Sequence, residues 1–146
     1  MKKILFLLIA TFVVFSSSAQ RVHFGCALGQ NADIKEICTY IENLGYNCQG
    51  GNSGSIGEIT IYSEVTINDM RFKYCTLYFY NNIFWKIFYY NTIEEPETVV
   101  SLLERKYDCK SDSEDEFYYR NRDLEIQFDG KNLKYISLSV TTSIFY

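Results

Sequence analysis

Histidine is all but missing from this chain: His23 is the only one in 146 residues. That removes most nucleophile–base pairs, because a Ser/His or Cys/His arrangement would have to be built on this one imidazole. The five cysteines (Cys26, Cys38, Cys48, Cys75 and Cys109) include no C-x-x-C pair. A zinc or redox cluster therefore lacks its usual spacing, and neither a metal nor a cofactor is expected. Basic residues are too few to balance the acids, and the net charge of −4 argues against a phosphate-backbone partner, so no nucleic acid is expected. The acidic run Lys110–Glu116 lacks the glycine and distal glutamate of a calcium loop and reads as a solvated turn. No apolar run after Phe15 is both long and uncharged, which leaves no transmembrane segment once the leader is removed.

That leader is the clearest signal present. Lys2-Lys3 precede an apolar stretch from Ile4 to Phe15, and Ser17-Ser18-Ala19 supply small residues for cleavage before Gln20. The organisation expected is a signal peptide over 1–19 and a single domain over 20–146, periplasmic or secreted. Loss of Lys2 and Lys3 takes the net charge to −6. All five cysteines remain in a compartment where disulfides persist, so at least one bridge is expected, with connectivity open. Lipidation of Cys26 is the alternative, but His23-Phe24-Gly25 lacks the aliphatic residue such a site favours.

The domain is organised around Met70–Asn91, in which ten residues are Phe, Tyr or Trp. Asn81-Asn82 interrupts two aromatic, β-prone runs and predicts a hairpin with a two-residue primed turn. An unbroken register sets Tyr80 opposite Ile83, Tyr78 opposite Trp85, Thr76 opposite Ile87 and Tyr74 opposite Tyr89. One face then carries the row Tyr74, Tyr78, Tyr80, Trp85 and Tyr89, the candidate binding residues. The other carries Cys75, Leu77, Phe79, Phe84 and Phe88. A shift of one residue would exchange the faces.

Two amphipathic helices flank this hairpin in the sequence. Ile34, Ile37, Cys38, Ile41 and Leu44 recur at helical spacing over Asp33–Leu44, with Asn31 or Asp33 as cap and Gly45 as terminator. Pro96 and its neighbouring glutamates open a second helix, Pro96–Tyr107, with Val99, Leu102, Leu103 and Tyr107 as its stripe. Between the first helix and the sheet, Gln49–Gly57 holds four glycines and two serines in nine residues and reads as a mobile loop, since it lacks the context of a phosphate cradle. Glu58–Ile67, Phe117–Asn121, Leu124–Phe128 and Leu133–Val140 alternate as strands, the later ones with one wet face. The fold class is α+β: an antiparallel sheet with two helices on one face. Tyr46 and Cys48 echo Tyr107 and Cys109 at one offset from the helix ends, suggesting a duplicated α-β-β-β unit.

Leu44-Gly45-Tyr46 after the first helix, Tyr78–Asn82 in the hairpin and Lys106-Tyr107 at the second helix end resemble small secreted bacterial proteins with a duplicated helix-plus-sheet layout, similar to the β-lactamase-inhibitor-protein-like fold. The resemblance covers most of 21–142, rests on element order and a few aromatics, and implies a non-enzymatic binding protein without catalytic residues to carry over. The function expected is binding of a protein or glycan through the aromatic sheet face, which suits stiff amphipathic side chains. A homodimeric envelope protein using the same patch is the alternative. A hydrolase would need a convergent carboxylate pair, for which Glu58, Glu64 and Asp69 are the available acids.

Overall fold

The computed structural model describes residues 22–145; the leader expected over 1–19 and its cleavage point lie outside them. The chain is α+β. It opens with a small ribbon, β1 (Val22–His23) and β2 (Cys26–Ala27), turned by Phe24 and Gly25 at φ 50° and 74°. Helix α1 (Ile34–Asn43) follows, then β3 (Cys48–Ser53), β4 (Ile56–Ile61), β5 (Val65–Ile67), β6 (Met70–Tyr80) and β7 (Ile83–Thr92). Helix α2 (Pro96–Tyr107) precedes β8 (Phe117–Arg120), β9 (Leu124–Phe128), β10 (Leu133–Ser137) and α3 (Leu138–Phe145). The main sheet runs β3-β4-β6-β7-β10-β9-β8, with β5 added to β6, and every pairing is antiparallel.

Local chemistry sets the element ends. Asp33 caps α1 by accepting from the backbone N–H of Lys35 and Glu36, at 2.9 and 3.2 Å. Pro96 starts α2, whose end turns through Asp108 at φ 48°. Asn81 and Asn82, both at positive φ, make the expected primed turn, and Asn68 and Asp69 make another between β5 and β6.

Both long helices lie on one face. Ile34, Ile37 and Ile41 are the buried side of α1, and Ile34 and Cys38 reach the glycines of β3 and β4. Tyr107 of α2 packs its ring on Tyr119 and Phe117 of β8, centroids 5.0 and 6.4 Å apart. Between the helices, the β1–β2 ribbon inserts His23 against Tyr89 and Tyr135. Beneath them lies the core: Ile59, Leu77, Phe79, Phe84, Ile87, Tyr89, Ile126, Leu133 and Tyr135, none more than 1 % exposed.

Two expectations are corrected. Gln49–Gly57 is not a loop but most of β3, a tight turn and the start of β4. Its glycines seat the helix, because a Cβ on Gly50 would stand 2.7 Å from Cys38 Sγ. The strand expected to reach Val140 stops at Ser137, and after the Leu138 N–H has donated to the Asp123 carbonyl at 3.0 Å the chain continues as a helix. Leu124, the first residue of β9, pairs with Ser137, and the β7 pairing has already stopped at Ile136 and Lys86. Beyond it the backbone satisfies its polar groups within a helix. After α1 the strands β4-β6-β7, and after α2 the strands β8-β9-β10, run inward from opposite sides to meet at the antiparallel β7–β10 pair, and β3 has no counterpart in the second half.

Candidate functional site

The open face of the sheet is set by one irregularity. Phe79 pairs with Phe84, but Tyr78 pairs with Lys86, so Trp85 is an extra residue bulged out of β7. An unbroken register would have put Lys86 opposite Leu77, inside the core, where an unpaired ammonium is costly. The bulge sets Ile87 there instead and turns Lys86 to the open side. It also reverses the aromatic residues that follow: Phe88 and Tyr90 face outward, and Tyr89 faces the helices.

Of the residues expected in one row, Tyr74, Tyr78 and Tyr80 therefore lie half-buried on the open face, and Trp85 sits half-buried in the bulge. Tyr89 is corrected to the core. It is fully buried on the helix side, 2.7 Å from His23 Nδ1 through its hydroxyl. Phe88, expected on the face opposite this row, belongs to the open face. The sequence reading missed Phe88, Tyr90, Lys86 and Lys134 as members of the site.

These side chains form an ordered surface. Tyr74, Tyr90 and Phe88 stack in sequence, centroids 4.6 and 5.2 Å apart and planes within 15° and 12° of parallel. The Tyr78 and Tyr90 hydroxyls are 3.2 Å apart, and Thr60 and Thr76 share a hydrogen bond of 3.0 Å. Lys86 Nζ lies 4.4 Å from the Tyr78 ring centre and 4.5 Å from that of Trp85, while Lys134 Nζ lies 5.2 Å from that of Phe88. Burial lowers the Lys86 pKa, and the Lys134 charge lowers it further. Burial raises the Tyr90 hydroxyl, and its hydrogen bond with Tyr78 adds to the shift. Neither lysine has a carboxylate within ion-pairing distance among the described residues.

The acids do not assemble into a pair. Glu58 is opposite Tyr78, whereas Glu64 is 3.8 Å from Arg71. Seven residues of β6 between those positions span about 23 Å at ~3.3 Å per residue, against the roughly 5–9.5 Å that glycoside hydrolysis requires. Asp69 lies farther along, in the β5–β6 turn. The acidic loop bonds to itself, Ser111 Oγ donating to the Glu116 carbonyl and Ser113 Oγ to Asp115, at 2.5 and 2.6 Å. No cluster of three or more His, Cys, Asp or Glu suited to a metal occurs among the described residues. No described helix is long and apolar enough to cross a membrane. Cys26 is buried in the ribbon. No protein-family model, curated protein or solved structure matches the chain.

Proposed function

We propose that this chain is an exported, non-enzymatic binding module that docks a partner protein on the open sheet face, through Tyr74, Tyr78, Trp85, Phe88 and Tyr90. The observation that carries this reading is how the rings are used. A sugar stacks on a free aromatic face, but Tyr74, Tyr90 and Phe88 spend their faces on one another and the lysines lie over Phe88 and Tyr78. What is offered outward is ring edges, hydroxyls and two cations, the surface of a protein interface. Lys86 and Lys134 lack acidic partners among the described residues of a chain with an excess of acids, which favours a partner that brings carboxylates to the middle of the face. The resemblance drawn from the sequence implies the same kind of role, without implying a β-lactamase as the partner. Tyr80 lies beside the exposed Ile56 and extends the patch toward β4.

The test is site-specific photo-crosslinking in the exporting cell, with a benzophenone side chain placed at Tyr78, at Trp85 or, as control, at Tyr40 on exposed α1 surface. A discrete protein adduct is expected from the first two positions only, and Lys86→Glu with Lys134→Glu should reduce it at least tenfold. Adducts of equal yield from Tyr40, or a glycan that binds the purified chain and protects these rings, would refute the reading. Adducts between two copies of the chain would replace it with the homodimer.

A further inference from the structure

Two thiols from different elements meet where α1 rests on β3, away from the open face. Cys48 Sγ donates toward the Cys38 carbonyl at 3.7 Å, and the neighbouring Cys38 thiol is among the causes that raise the Cys48 pKa, after burial. The placement follows from the helix seat: Cys38 Sγ lies in the space that a Gly50 side chain would fill. Cys48 precedes Gly50 by two residues, so the two positions share the helix-covered face of β3. Both cysteines are partly exposed, so an oxidant reaches them. The other three are differently placed. Cys26 and Cys75 are buried, and Cys109 follows α2, which packs on β8 at the opposite edge of the sheet, six strand spacings or about 29 Å from β3.

We propose that Cys38 and Cys48 form a disulfide that clamps the middle of α1 to the edge strand β3. All five cysteines are thiols in the structure, so an oxidant is required, and an external disulfide of the glutathione or dithiol-oxidase class supplies it. The thiolate of one cysteine attacks that disulfide, giving a mixed disulfide and releasing one thiol. The second cysteine, losing its proton, attacks the protein-side sulfur, closes the Cys38–Cys48 bond and expels the second thiol. Two protons and two electrons leave the protein, and one disulfide outside it becomes two thiols. Burial raises the Cys48 pKa to about 11, and the neighbouring Cys38 thiol contributes. Exchange begins from the thiolate, so closure without an enzyme should be slow at neutral pH and faster above pH 9.

The bond closes a short loop between a helix and an edge strand that has a neighbour on one side only. It holds the helix over the glycine seat, where Cys38, Ile59 and Ile34 would be the nearest neighbours of a Cβ on Gly50. The proposed bridge is independent of what the open face binds.

The test oxidises the purified chain with oxidised glutathione and counts free thiols after denaturation. The count should fall from five to three, and cleavage after Glu42, which separates the two cysteines, should yield one linked peptide pair containing Cys38 and Cys48. Reduction should lower Tm by about 5 to 10 °C, and the Cys38→Ser/Cys48→Ser variant should show no such response. Five free thiols after oxidation at pH 9, or a linkage joining either residue to Cys26, Cys75 or Cys109, would overturn the proposal. The mapping is made on the unsubstituted chain, so it decides the connectivity even where the double variant folds poorly.

Discussion

His23 should make this protein lose stability on mild acidification, well before its carboxylates titrate. The imidazole is buried among Phe84, Tyr89 and Tyr135, its Nε2 has no hydrogen-bond partner among the described residues, and the nearby Lys106 charge disfavours a second cation. Burial first, and Lys106 second, bring its pKa down from 6.5 to about 3. The unfolded chain takes up a proton on this residue below about pH 6.5 and the folded chain does not until about pH 3, so acid favours unfolding throughout that window. At 1.36 kcal/mol per pKa unit, the shift of about 3.5 units corresponds to a loss of about 5 kcal/mol across the whole window, and about 2 kcal/mol between pH 7.5 and 5. The upper half of the window isolates His23. Burial alone would raise Glu94 and Asp129, but hydrogen bonds from Arg71 to Glu94, and from the backbone of Asn132 and Lys131 to Asp129, hold both below their usual values. Their stabilisation is present above the unfolded carboxylate pKa of about 4 and is lost only as pH falls through the lower folded values. Urea unfolding at pH 7.5, 6.5, 5.5 and 5.0 should therefore show a falling midpoint in the native chain and a nearly constant one in His23→Gln. Equal slopes for the two chains over that range would refute the burial of a neutral imidazole at this position.

Other outcomes follow from the same packing. Tyr89→Ala should destabilise by about 3 to 5 kcal/mol, as emptying a core aromatic site does, whereas Tyr78→Ala, half-exposed, should cost about 1 kcal/mol; comparable losses in chemical denaturation would mean that the bulge at Trp85 is wrongly placed. Gly50→Ala should cost about 1 to 3 kcal/mol, because its Cβ would meet Cys38 and the Ile59 stem. Gly51→Ala, with nothing within 4 Å, should be neutral or stabilise by up to about 1 kcal/mol. Reversal of that order in thermal melts would return this stretch to a loop. Lys86→Met should leave the fold intact while making partner binding less sensitive to ionic strength, read by titrating salt in a binding assay.

The helices and the hairpin turn were legible because each rests on local chemistry: the isoleucine spacing and Asp33 cap of α1, Pro96 at the start of α2, and two asparagines able to adopt positive φ. What escaped depends on partners remote in sequence. Four glycines in nine residues carry the composition of a flexible linker, and only the arrival of Ile34 and Cys38 above Gly50 and Gly57 gives the missing side chains a packing role. Leu138 and Val140 continue the alternation of β10, yet after the Leu138 N–H has donated to the Asp123 carbonyl the chain continues as a helix, and that stop is not written in the strand itself. The site is the instructive case. Its aromatic content was plain, but its membership turned on a single residue, Trp85, and the signal that places the bulge was present in Lys86. A hairpin with one face destined for the core excludes a register that buries an unpaired lysine against Leu77. Slipping the later half of β7 by one residue frees the charge, brings Ile87 and Tyr89 inward and turns Phe88 and Tyr90 outward. The cost of burying one ammonium thus selects which aromatic rings this protein shows to solvent.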